Sequence, residues 1–360
     1  MSAYEYWFCD TQTGVKQLRV VPSSGSWSRV LNGAGSGSHT FQLGDRKLPR
    51  SSWRSLTTPW ARTLVVARGG KVVYAGLVQS LQWDAATKTL TVNHADVRTI
   101  LGDRYPFGVT SYHGGTLVVT GKSFGAAAAM VVGAGLIGPR PIFALPIVLP
   151  STATSGTYSH TYNAYNFTTV ADALNDLQKL GPDIDFEPRW SSSDTLEWVM
   201  RVGANLLTGG AFDFPMNAGK PALTGVKNML DGSQQVTGVY AIGQGSGEDM
   251  IVGGIPAGTE QAAIIPARET TQPYKESKTE AEASGYAVAA TNALHEATSQ
   301  WSFSYIINDD IAPVENLQLG STLRLYYDDD EWIYDGWQTV RLTGLSGDMT
   351  ETVTPTVQGV

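Results

Sequence analysis

Over the first 120 positions, apolar and polar residues alternate in short runs, the period-two pattern of strands buried on one face. "YEYWF" and "KQLRVVP" flank "DTQTG", where Gly14 supplies the positive φ that a tight turn needs. "RTLVVARGGKVVYAGLVQSLQWDAATKTLTVNHADV" reads as consecutive hairpins that turn at Gly69-Gly70 and at Asp84-Ala85-Ala86-Thr87. "SRVLNGAGSGSHTFQLGD" is rich in Gly and Ser, yet too apolar for a plain linker. The period then changes. "SFGAAAAMVVGAG" reads as a helix, and "TTVADALNDLQKLGP" as an amphipathic one with Val170, Ala173, Leu174, Leu177 and Leu180 on one face. Thr168 or Thr169 caps it, and Gly181-Pro182 stops it. "DIDFEPRW" and "TLEWVMRVG" alternate as strands around the turn "SSSD". From 222 to 265 and from 300 to 350 strand patterns return, and between them "KESKTEAEASGYAVAATNALHEATSQ" is the strongest helical stretch.

These patterns predict a mainly β chain with an α+β part. A β domain spans 1–120, an α+β domain 121–221, and a second β domain 222–267 with 300–360, interrupted by a helical insertion at 268–299. Many short strands with regular turns suit small barrels or sandwiches.

Composition narrows the function classes. A net charge of −8 with scattered Lys and Arg argues against non-specific nucleic-acid binding. Cys9 is the only cysteine, so no intrachain disulfide and no Cys-based zinc site can form. The start "MSAYEYWFCDTQTG" lacks a signal-peptide pattern, and the apolar stretch Ala126–Pro150 is broken by Arg140 and four prolines. Synthesis in a cytoplasm without a membrane span is the expectation. Few charges and many aromatic residues point to a surface covered in an assembly.

Gly133, Gly135 and Gly138 in "MVVGAGLIG" match the dinucleotide spacing G-x-G-x-x-G. An alanine run precedes them where a strand is needed, and Pro139, Pro141, Pro146 and Pro150 follow where a helix is needed. The glycines therefore read as a helix end, and no cofactor is expected. None of His39, His94, His113, His160 and His295 lies within four residues of another, so no metal motif is expected either. In "GSGSH" a serine precedes His39, but adjacent strand residues point to opposite faces. Asp328, Asp329, Asp330 and Glu331 lack the spacing of a calcium loop and read as a charged hairpin tip. Asp183, Asp185 and Glu187 alternate on one strand face, roughly 7 Å apart, which fits a glycosidase pair. A solvent-facing strand edge explains the same alternation. The tryptophans are spread over every β segment and read as core or interface anchors rather than a sugar platform.

The N-terminal arrangement resembles a known family. "DTQTG", "SWSRVLNGAGSGSHTFQLGD" and the hairpins "LVVARGGKVVYAGLVQSLQWDAATKTLTVNHADVRTILGDR", followed by "VADALNDLQKLG" and "DIDFEPRW", are similar to minor tail proteins of long flexible-tailed actinobacterial phages, of the baseplate hub or tail-associated type. The likeness is best from Tyr4 to Trp190, and "IAPVENLQLGSTLRL" suits the second half of such hubs. The resemblance implies two small β-barrels held by α+β parts, three subunits in a ring at the tail tip, and a channel for tape measure protein and DNA. Its implied partners are a distal tail ring, the tape measure protein and fibre proteins, with genomic DNA only in transit. It carries over no catalytic residue, cofactor or metal. Hubs often continue into lytic or receptor-binding modules, whereas this chain stops at Val360, so such activities are expected in other proteins. The alternative is a cell-wall glycoside or peptidoglycan hydrolase using Asp183, Asp185 or Glu187. For the subunit contact, the glycine-rich segment with Arg29, Val30, Leu31, Asn32, Gly33, Gly35 and Gly37 is the candidate, with an ordinary barrel loop as the other reading.

Overall fold

The computed structural model describes residues 4–44, 48–107, 115–254, 265–307 and 312–359. It forms two compact units, one from Met1–Val226 with Ser302–Gln358 and one from Lys227–Trp301. In the first unit, β1 (Glu5–Asp10) and β2 (Lys16–Val20) make the expected hairpin. Asp10 Oδ1 accepts from the amides of Gln12 and Thr13 and from the Thr13 hydroxyl, all within 3.1 Å, and so holds the turn. Gly14 has φ +72°, and a Cβ there would stand 2.0 Å from the Leu196 carbonyl oxygen. The turn docks by main-chain bonds, Leu196 N to Gly14 O and Lys16 N to Asp194 O, each 2.8 Å. Gly14→Ala is therefore expected to cost about 1–3 kcal/mol, read as a lower urea midpoint.

Five more strands extend this hairpin: β3 (Ser24–Val30), β4 (Ser36–Gln42), β5 (Arg62–Arg68), β6 (Lys71–Asp84) and β7 (Thr89–Ala95). Their order is β2-β1-β5-β6-β7-β4-β3. Gly69 and Gly70, both with positive φ, turn β5 into β6, and Asp84 caps the β6–β7 turn through the amides of Ala86 and Thr87. A short helix, α1 (Arg50–Leu56), with no buried residue, lies between β4 and β5 in a region that alternation alone reads as β. Among the described residues these strands do not close into a barrel. The free side of β3 pairs instead with Gly344–Gly347 of β20 (Gly336–Gly347), so one sheet continues into the C-terminal strands. There β20 also pairs with β19 (Thr322–Tyr327), which carries β13 (Ala211–Pro215) in parallel, and β21 (Thr352–Gly359) follows β20 in the sheet.

The α+β part packs on this sheet. β8 (Leu117–Lys122) leads into α2 (Phe124–Leu136), capped by the Ser123 hydroxyl on Ala126 N. Gly133 and Gly135 lie inside α2 and the chain is extended from Ile137, so the glycines end a helix rather than open one. Gly135 permits close packing: a Cβ there would be 2.6 Å from Val170 Cγ2, at the start of α3 (Val170–Gln178). Thr169 caps α3 as expected, but Gly181, with φ +113°, ends the turn early and leaves Leu180 exposed. β9 (Ile147–Val148), β11 (Ile184–Ser192) and β12 (Thr195–Val202) form a three-stranded sheet, and β10 (Tyr158–Tyr162) pairs with β8. One core, with Cys9, Val65, Leu77, Val131, Leu174 and Trp198, joins the first hairpins to both helices and to β11 and β12.

Strands β14 (Leu223–Asp231) and β18 (Thr298–Ile306) carry the chain into and out of the second unit. That unit contains β15 (Gly238–Ile242), with β16 (Val252–Gly254) antiparallel and β17 (Glu269–Pro273) parallel to it, and α4 (Glu280–Leu294). Helix α4 is shorter than the alanine-rich stretch suggests: "ETTQP" pairs as β17, Thr279 caps the helix, and strand resumes at Thr298. Its Ala283 and Ala287 pack with Ala241 of β15.

Candidate functional site

The structure brings two of the sequence candidates together. The glycine-rich segment is the end of β3, a turn and the start of β4, and it rests on "DIDFEP". Asn32, with φ +63°, inserts its side chain between them: Nδ2 donates to Asp183 Oδ1 at 2.6 Å, and Oδ1 accepts from Ile184 N at 2.8 Å and Gln178 Nε2 at 2.7 Å. Arg29 turns inward to Asp185 at 3.3 Å. Leu31 is buried, while Val30 and Asn32 are exposed. Gly35 N donates to Asp96 Oδ2 at 2.6 Å, and a Cβ on Gly35 would lie 2.1 Å from Ser28 O, so glycine there lets β4 lie against β3. At Gly37 the same distance, to Ser26 O, is 2.4 Å, whereas Gly33 sits in looser surroundings.

The three carboxylates share a face as expected, but that face is not solvent. Asp183 and Asp185 are only 4% and 6% exposed, because β11 is covered on both sides, and each is neutralised by arginine. Asp183 accepts from Arg341 and from Leu207 N, and Arg341 also donates to Leu207 O at 2.8 Å. Arg201 lies between Asp185 at 3.6 Å and Glu187 at 3.5 Å, and Gln318 donates to Glu187 at 2.8 Å. Burial raises the Asp185 carboxyl above its usual range, while Arg29 and Arg201 pull it back down. The cavity between Arg29, Tyr74, Asp96 and Asp185 holds about 10 Å³, room for at most one water. This arrangement ties the β3–β4 turn to β11; it offers no space for a sugar ring beside Asp185.

No spacing in the sequence announces these pairs, since Arg29, Arg201 and Arg341 come from distant strands. The same holds for a buried polar chain in which Tyr74 Oη meets His94 Nδ1, and His94 Nε2 meets His39 Nδ1, both at 2.8 Å. Ser38 faces outward from its neighbour His39, so the serine–histidine pair of "GSGSH" is split across the strand. Burial depresses the His39 imidazole to about 4, and His94 shifts the same way. An unfolded histidine takes up a proton near pH 6.5, which the folded pair refuses. Their contribution to stability is thus complete above pH 6.5 and is lost as pH falls towards 4. Urea midpoints are expected to drop through that window, with a shallower slope in His39→Phe. His113 lies outside the described residues. The acidic cluster forms the β19–β20 tip: Asp330 accepts from the amides of Trp332 and Ile333, and Asp335 from that of Asp329.

No protein-family profile matches the chain, and no curated protein matches it in sequence. Solved structures do match. The 43 kDa tail protein of prophage MuSo2 from Shewanella oneidensis is similar with a TM-score of 0.62 at 11% identity, over 98% of both chains. The tail protein from Neisseria meningitidis MC58 gives 0.58 at 17% identity, over 99% of this chain and 97% of that one. E. coli c3393, a type VI secretion component described as structurally similar to the T4 tail proteins gp27 and gp5, gives 0.51 at 8% identity, over 99% and 76%. From end to end, this chain has the fold of phage-tail and tail-like secretion proteins.

Proposed function

We propose that this chain is a structural protein of a phage tail, made in the bacterial host cytoplasm and built into the virion at the tail tip as the baseplate hub. The observation that carries the reading is end-to-end similarity, since two tail proteins are matched over nearly their whole lengths as well as its own. In this reading three copies form a ring in which the two β regions of each subunit act as barrel-like modules, 1–120 and 222–360 with the 268–299 insertion, around the 121–221 part. The ring adapts the tail tube of a long flexible tail on an actinobacterial phage, binds the distal tail ring and fibre proteins, and leaves a channel for tape measure protein and DNA. Asn32, Gly33 and exposed Val30 at the β3–β4 turn are the proposed subunit contact, while Arg29, Leu31, Gly35 and Gly37 support it from within. The chain has no catalytic role in this reading. Negative-stain microscopy of the purified protein, classified by symmetry, is expected to give three-fold rings with a central hole. A monomer inside assembled tails would overturn the proposal.

A further inference from the structure

Strands β21, β20, β3, β4 and β7 are consecutive neighbours in one sheet, and their two faces differ sharply in chemistry. Trp27, His39, Phe41, Val92 and His94 fill the core side. The other side is a lattice of hydroxyl and amide groups. In one cross-strand row Ser26 pairs with Ser38 and Ser38 with Asn93; in the next Ser24 pairs with Thr40 and Thr40 with Thr91, whose hydroxyls lie 3.1 Å apart. In a third, Ser28 pairs with Ser346, and the Ser346 hydroxyl donates to Thr354 O at 3.2 Å. On β21, Thr352, Thr354 and Thr356 are exposed between buried Val353 and Pro355. Among the described residues, this face carries no Lys, Arg, Asp or Glu across the five strands, in a chain with 25 Lys and Arg and 33 Asp and Glu.

That composition decides what can rest on it. Phosphates are held by Lys and Arg through counterion release, and none is present. Stable protein contacts are anchored by aromatic residues and Arg, while Ser is depleted in them and Ser and Thr are rare among hot spots. Hydroxyls and amides bind water and one another, so a polymer sliding past exchanges weak contacts for equivalent ones. Resting on the tail reading above, we infer that this face is the wall of the channel, and that the polymer it meets and releases is double-stranded DNA. The acidic balance of the chain as a whole is thereby kept off this wall, which neither captures nor strongly repels a polyanion.

Thiol accessibility tests this in the assembled ring. Cys9 is fully buried and its thiol is pushed up to about 12, so the background is silent. Ser38→Cys is expected to react with a small maleimide but not with one carried on a bulky polymer, whereas Ser193→Cys, in the exposed β11–β12 turn, reacts with both. Equal labelling of Ser38→Cys by the bulky reagent puts the face on the outside and sinks the wall. Protection from both reagents means that a protein covers it, which sinks the wall equally. Should no ring form, the hub reading fails first and takes the wall with it; a ring with either wrong labelling pattern leaves the hub standing and removes only the wall.

Discussion

Asp183→Ala is expected to lower the stability of the first unit by about 3–5 kcal/mol, read from urea unfolding. Its carboxylate meets the Arg341 guanidinium, the Leu207 amide and the Asn32 side chain, and both charged groups are almost wholly buried. Removing the anion leaves a cation in a site with no water to replace it, and that uncompensated charge carries most of the loss. The argument makes a second demand. Asp183→Leu combined with Arg341→Met removes both charges, and is expected to recover much of the loss, because apolar packing of similar volume costs less than half of an ion pair. If the double variant is as unstable as Asp183→Ala, the loss comes from the neighbouring hydrogen bonds instead.

Trp198→Ala is expected to cost a similar amount, about 3–5 kcal/mol, and Trp332→Ala no more than about 0.5 kcal/mol. Trp198 is fully buried on β12 within the main core, so alanine leaves a cavity that its neighbours fill only in part. Trp332 is 72% exposed at the tip between β19 and β20. The same pair of thermal or urea unfolding curves measures both. A large loss from Trp332→Ala would mean that the tip packs against something in solution.

These tryptophans mark where sequence reading stops. Alternation, glycine turns and helix caps depend on neighbours within a few residues, so the hairpins around Gly14, Gly69-Gly70 and Asp84 and the Thr169 cap were legible. Which side of a strand becomes core depends on what later covers it. Alternation put Asp183, Asp185 and Glu187 on one face correctly, but placed that face in water, because Arg29, Arg201 and Arg341 arrive from strands far away in sequence. The open path of the sheet was hidden for the same reason: a closed barrel and a sheet continued through β20 share one local pattern. Seven residues of α1 with no buried face leave too short a period to be seen.

The pairing of β3 with β20 also sets an order in time. Val30 leaves the ribosome long before its partner Gly344 exists. At bacterial or eukaryotic synthesis speeds that interval is roughly 15–60 s. Throughout it, β3 is an open strand edge in a crowded cell, the situation that invites wrong pairing. Its sequence "SGSWSRV" holds three serines and a glycine among its seven residues, poor material for a sticky edge, and Arg29 adds a charge that is solvated until Asp185 arrives. The hydroxyl-rich strand thus protects the nascent chain before it serves the finished one.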